Sequence, residues 1–325
     1  MSHALPVFDD EQRETAHRLL AFRVAHMMGR KLEEADWTDV YAAALGMEPT
    51  TWSNLDIDIM HGHLGVEQKA LRYKSVRIEE ACGTTLMHPS LTRSIRINSQ
   101  EPDPNVAMAS VFEQYAGVVE NRRLEVAQRN QTGREVELRS GWLLWQDSLR
   151  QFLYFEEPMK VPSAPDYFAE WRLSGRENGK RKPSKNLWIY EKSTQLKRYS
   201  VTTDAGAKIQ PYFDVPPPSD PNLYIFTVIG EHIALGRVRV WIANRTATEL
   251  RRVLGSLDID VLEQAIYRAA HDLANQPVVP VLKELEAVLP LVISESAYDT
   301  LLAAMPGVND DHRFQLLLDH VRLQS

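Results

Sequence analysis

Asp58, Glu67 and Lys69 are the residues whose types and spacing point most directly to chemistry. The chain reads Asn54-Leu55-Asp56-Ile57-Asp58-Ile59-Met60, then His61-Gly62-His63-Leu64-Gly65, then Val66-Glu67-Gln68-Lys69-Ala70-Leu71. The first stretch alternates polar and apolar residues as a half-buried strand does, and the last reads as its hairpin partner. A strand has period two, so Glu67 and Lys69 share one face while Val66, Gln68 and Ala70 take the other. A carboxylate from each strand and one ammonium then meet at a point. Hydrolysis of a phosphodiester needs such a meeting. Carboxylates hold a hard cation such as Mg2+, which offsets charge on the attacking and leaving oxygens. A lysine beside them orients or deprotonates the water and stabilises the developing charge. Asp56 shares a strand face with Asp58 and is the alternative first ligand; Asp58 lies nearer the hairpin end.

These residues need a frame, and the pattern supplies one. Residues 9–45 read as helical, with Leu20, Val24, Met28, Leu32 and Val40 on a recurring apolar stripe and Gly46 and Pro49 closing it. Val106–Arg129 reads as a helix started near Pro104-Asn105 and stopped by Asn130-Gln131-Thr132-Gly133. Strands are expected over Arg93–Ile97, Glu135–Trp145, Leu149–Glu156, Tyr224–Val228 and Arg237–Ile242, and a hairpin over Leu187–Tyr190 and Lys197–Val201. A helix follows over Thr246–Leu254, with Thr246 or Thr248 as its cap. From Asp258 onward the pattern is helical, broken at Pro277, Pro280, Pro290 and Pro306. Leu282, Leu285 and Leu289 form a core stripe there. The expected organisation is a core over residues 1–255, with a region at roughly 158–220 inserted in it, and a helical subdomain over 256–325.

With this hairpin and the preceding acidic helix, the chain resembles the PD-(D/E)xK nuclease superfamily and, within it, the type II restriction endonucleases. In that family an acidic residue on a first helix, an Asp on one strand and (Glu/Asp)-x-Lys on the next build the metal site. Gly29-Arg30-Lys31-Leu32-Glu33-Glu34 matches a Gly-x-x-apolar-Glu pattern of some branches, which implies Glu33 as a catalytic carboxylate, with Glu34 the alternative. Asp58 and Glu67 are then the metal ligands and Lys69 the catalytic lysine. Ile57, where the family often has proline, is a departure. The match is close over residues 22–71; beyond them the chain is similar only in size and general make-up. The resemblance implies an α/β fold, a restriction-endonuclease-like mixed sheet flanked by helices, with a β-rich recognition elaboration and C-terminal helices. It implies Mg2+ as cofactor and sequence-specific cleavage of double-stranded DNA that leaves 5′-phosphates. A homodimer follows from symmetric cutting of two strands, which calls for two active sites. A cognate DNA methyltransferase in the same system is the further partner implied.

The stretch Glu170–Thr203 is rich in cations, and the basic region Arg172–Arg198 within it is the expected DNA-binding region. Lys180, Arg181, Lys182, Lys185, Lys192, Lys197 and Arg198 are its phosphate candidates, joined by Arg93 before it and Lys208 after it. Asn178, Asn186 and Gln195 are candidates for base edges. Trp188, Tyr190 and Tyr199 read as sheet-packing residues. A local basic surface has to work against a net charge of −7. His61-Gly62-His63 carries a competing chemistry, a zinc-dependent hydrolase, but the other histidines do not follow strand ends as such a site requires. A non-catalytic DNA-binding protein with the same core is the other rival. Apolar content of 44% and charged content of 25% are those of an ordinary globular protein of 325 residues. The lone Cys82, the lack of a signal-like start and the lack of a long apolar run lead to the expectation of a soluble, cytoplasmic protein without membrane association.

Overall fold

Gln68 and Leu143 are fully buried on neighbouring strands of the first of three sheets which, with seven α-helices, are found among the described residues. The computed structural model describes residues 5–27, 32–47, 57–75, 77–89, 95–174, 184–203, 208–274 and 287–324. The first sheet has the order β1 (Ile59–His61), β2 (Leu64–Arg72), β4 (Glu137–Trp145), β5 (Gln151–Pro158), β10 (Tyr224–Thr227). β1 and β2 form the expected hairpin, closed by Gly62 at φ +59°, where an L side chain is strained. β2 and β4 run parallel, so the chain must cross over between them. That crossover carries α3 (Pro104–Arg129), the longest helix, with Asp103 accepting from Asn105 N–H at 2.8 Å as its cap.

One face of this sheet is covered by α1 (Asp10–Ala25) and α2 (Glu34–Ala44), whose Leu20, Val24, Trp37 and Tyr41 meet Val66, Leu143 and Phe152. The expected helical stretch is thus two helices. α1 starts at a capping box, Asp9 accepting from Gln12 N–H at 2.8 Å. On the opposite face Val126 of α3 packs with Leu138. Farther along, Trp142 stacks on Phe213 with centroids 3.9 Å apart.

Phe213 belongs to a second, antiparallel sheet of order β3 (Thr85–Met87), β9 (Lys208–Asp214), β8 (Lys197–Thr202), β7 (Ser184–Glu191), β6 (Tyr167–Ser174). It holds the expected hairpin, with Leu187 opposite Val201. Ala169, Leu187, Ile189, Val201 and Ile209 turn inward against Ala107, Val111, Phe112 and Tyr115 of α3.

The third unit differs from the all-helical tail expected after residue 255. β13 (Val288–Ser294) pairs antiparallel with β12 (Arg237–Ala243), which also pairs with β11 (Glu231–Ile233). Pro290 stands within β13, on a strand with no neighbour on its far side among the described residues, where a missing N–H costs least. Around this sheet pack α4 (Asn244–Leu254), α5 (Ile259–Leu273), α6 (Glu295–Ala304) and α7 (Asp310–Gln324). This core therefore takes in strands and a helix from before the expected boundary. Thr246 and Thr248 lie inside α4, whose cap position is Ala243. Ile95–Ile97 is not a strand; Arg93, like Pro277, Pro280, Leu282 and Leu285, lies outside the described residues. Among the described residues no helix is long and apolar enough to cross a membrane.

Candidate carboxylate–lysine site

β2 buries three consecutive polar residues, Glu67, Gln68 and Lys69, at 6%, 0% and 7% exposure. Buried charges of this kind occur only when paired. Lys69 Nζ donates to Glu67 Oε1 at 2.7 Å and lies 3.8 Å from Glu34 Oε1. On its other side Glu67 meets Arg122 of α3 in a two-point contact, Nη2 to Oε1 at 3.0 Å and Nη1 to Oε2. A guanidinium fork suits a carboxylate in this way.

Asp58 and Glu34 reach the same place along the edge of β2. β1 pairs with β2 only as far as Val66. Beyond it the N–H groups on that side need acceptors. Gln68 N–H donates to Asp58 Oδ2 at 2.7 Å and Ala70 N–H to Glu34 Oε2 at 3.4 Å. Two carboxylates thus accept from N–H groups along this edge of β2. Each is thereby set beside the Glu67–Lys69 pair.

The electrostatics follow from this crowding. Burial, then the charge of Glu67, push the Asp58 carboxyl up to about 7. Burial also raises Glu34 above the usual carboxylate range, against the pull of Lys69. For Lys69 burial acts downward, but Glu67, Glu34 and Asp58 outweigh it and hold the ammonium above its ordinary value. A group so held keeps its proton at neutral pH. It is not available to take a proton from water. With all three ionised, Glu34, Asp58 and Glu67 outnumber Lys69 and Arg122 by one negative charge, an excess that the raised Asp58 and Glu34 carboxyls lessen near neutral pH.

Among the described residues no group of three or more His, Cys, Asp or Glu side chains closes into a metal cage. Mg2+ does not require one, since it keeps several waters and takes one or two protein carboxylates. Asp58 and Glu67 fit that demand, because they are hard oxygen donors in a cluster with surplus negative charge. The fit to zinc is poor. His61 is exposed at the hairpin turn, and His61 and His63 gather no third ligand among the described residues.

The structure brings Asp58, Glu67 and Lys69 together as the spacing predicts, but it sets Glu34 rather than Glu33 beside them. Glu33 is the exposed cap position of α2, its N–H donating to Asp36 Oδ2 at 2.9 Å, whereas Glu34 in the first turn faces β2. Arg122 carried no signal in the sequence beyond its place in the expected helix Val106–Arg129. Asp56, Gly29, Arg30 and Lys31 lie outside the described residues.

Opposite this site, Gln68 points into a second polar group. Tyr154 Oη lies 3.0 Å from Gln68 Oε1 and 2.8 Å from Glu156 Oε1, and Arg139 reaches Glu156 at 3.1 Å. A Cβ on Gly141 would lie 2.4 Å from that hydroxyl, so only glycine fits between Gln68 and Tyr154.

The expected DNA-binding residues disperse. Arg198 is paired with Asp214 at 2.8 Å and with Glu191 at 3.5 Å. Lys185 donates to Ser99 O and Lys192 to Pro165 O. Lys197 and Lys208 stand on the outward face of the second sheet. Arg93, Asn178, Lys180, Arg181 and Lys182 lie outside the described residues. No protein-family model, no curated protein and no solved structure matches the chain.

Proposed function

We propose that this chain is a Mg2+-dependent DNA endonuclease. The observation that carries the reading is the edge of β2 where Asp58 and Glu34 flank the buried Glu67–Lys69 pair. In this reading Asp58 and Glu67 hold the ion, which supplies positive charge to the attacking and leaving oxygens. Lys69, kept as an ammonium, stabilises the charge that builds on the phosphoryl oxygens and fixes the water beside it. Arg122 holds Glu67 in place from α3 and shares its charge. The water oxygen forms the new bond to phosphorus and gives up a proton to solvent as the P–O3′ bond breaks. O3′ takes a proton from solvent and the phosphate stays on the 5′ side. With all three acids ionised, a bound Mg2+ and one phosphodiester would bring the cluster to neutrality.

The finer part of the proposal is a sequence-specific restriction enzyme acting on double-stranded DNA, as a homodimer, with a cognate methyltransferase. The chain continues for more than 250 residues past the hairpin, more than a minimal nuclease core requires. Digestion of a long, unmodified DNA with Mg2+ tests it. Discrete bands support site-specific cutting, a smear supports cutting without specificity, and intact DNA sinks the enzyme. A second reading, a non-catalytic DNA-binding protein, is favoured by one observation: Glu67 is already satisfied by Arg122 and Lys69. Lys69→Ala separates the two. A nuclease loses cleavage and still binds DNA, whereas a pure binder has no cleavage to lose.

A further inference from the structure

The second sheet has one face against α3 and another that no described element covers. Phe168, Trp188, Tyr190 and Tyr212 lie on the uncovered face and belong to none of the buried apolar clusters. Their neighbours in sequence, Ala169, Leu187, Ile189 and Phe213, point inward into buried clusters. Phe168 and Tyr190, opposite each other across β6 and β7, stack with centroids 5.1 Å apart and planes at 14°. Lys197 Nζ sits 3.8 Å from the centre of the Trp188 ring and 4.8 Å from that of Tyr212. Arg172 Cζ lies 5.8 Å from the centre of the same Trp188 ring, held by Glu170 on the same strand. Four half-buried aromatics and two cations therefore form one contiguous surface.

A sheet face that only has to be soluble is built from small polar and charged side chains. Large rings left half in water are characteristic of binding surfaces. The mixture here narrows the class of ligand. Rings offer flat π-faces to other flat rings, and the interleaved cations call for an anionic partner. Arg172 is ion-paired with Glu170, which leaves Lys197 and Lys208 as cations of this face with no carboxylate partner among the described residues, while the chain as a whole carries −7. A duplex hides its base faces in the stack. An unpaired strand presents base faces and phosphates together.

We propose that this outward face binds single-stranded nucleic acid, with bases stacking on Trp188 and Tyr190 and with Lys197 and Lys208 on the phosphates. The proposal does not depend on the carboxylate site. It departs from the sequence reading of Trp188 and Tyr190 as packing residues. Tyr199 does pack, edge-on against Phe112 at 5.4 Å.

The test uses the full chain in EDTA at low salt, with fluorescence anisotropy of labelled oligothymidylate, oligouridylate and a DNA duplex. The expected result is that a single strand binds more tightly than the duplex and quenches tryptophan emission. The first two probes decide between DNA and RNA. Trp188→Ala should weaken binding about 5- to 100-fold, the range for loss of one stacked base. Lys197→Glu leaves every ring in place, so it keeps the test valid if Trp188→Ala does not fold. It should weaken binding and flatten its salt dependence. Arg252→Ala, on an exposed part of α4, is the charge control and should bind as the wild type does. Preference for the duplex, or unchanged affinity in Lys197→Glu, overturns the proposal. Asp58→Asn should bind the single strand normally, so failure of the nuclease reading leaves a different record from failure of this one.

Discussion

Two clusters of buried charge in this molecule are built to opposite ends. In the C-terminal unit Asp310 is 2% exposed and has every neighbour it needs: Gly230 N–H at 2.8 Å, the Tyr298 hydroxyl at 3.1 Å and Arg313 at 2.8 Å. Arg313 in turn donates to Met305 O at 3.1 Å. Acid and base are matched there, and the cluster ties the start of α7 to the loop before β11. At the edge of β2, three acids meet two bases, and Asp58 and Glu34 lie partly open to solvent. A matched cluster holds a fold together. An unmatched one at a sheet edge stores negative charge that a cation can relieve. That difference separates a structural device from a candidate site, although both look like buried ion pairs.

The strongest way to test the contrast is to remove one acid from the matched cluster. Asp310→Ala leaves Arg313 buried without a counter-charge, and a loss of about 3–5 kcal/mol is expected in urea unfolding at neutral pH. A loss below about 1 kcal/mol would mean the network does not hold the C-terminal unit. At the unmatched cluster, Lys69→Ala should slow DNA cleavage by about 100-fold or more while leaving DNA affinity in place. Equal loss of both would point to a collapsed strand rather than missing chemistry.

Asp58 gives a pH signature. An unfolded aspartate titrates near ~3.9, and here the folded group is pushed up to about 7. Below the unfolded value both states carry the proton and no difference arises. As pH rises toward the folded value the unfolded state ionises first, and the metal-free protein loses stability. Above it the loss is complete. Relative to wild type, Asp58→Asn should therefore gain on the order of 1–2 kcal/mol between about pH 4 and about pH 7, after allowance for solvent near the carboxyl. Melting temperatures in EDTA across that window read it out; a gain independent of pH would contradict the shift. The smallest effect belongs to the exposed Arg72–Asp147 pair at the far end of the same strand. Arg72→Ala should change stability by no more than about 0.5 kcal/mol in the same melts.

Local signals carried much of this in the sequence. The alternation in residues 54–71 placed Glu67 and Lys69 on one face, and the stop at Asn130–Gly133 ended α3 where it ends. Nothing local distinguished Glu33 from Glu34, because the choice depends on where α2 starts and how its first turn meets β2. Arg122 was hidden for a related reason: its partner lies 55 residues away, across a crossover. The strand Val288–Ser294 was misread as helical since its β-character comes from pairing with β12 and its Pro290 suggested a break. Trp188 and Tyr190 looked like packing residues because period two does not say which face of a sheet is covered.

Binding of Mn2+, a stand-in for Mg2+ on hard oxygen ligands, is the most direct check on the edge of β2. Electron paramagnetic resonance on the metal-loaded full chain should detect saturable binding in the wild type and its loss in both Asp58→Asn and Glu67→Gln. A wild-type sample that leaves the free-ion signal undiminished, or binding that survives in both variants, would show that these carboxylates hold only each other's neighbours and no cation.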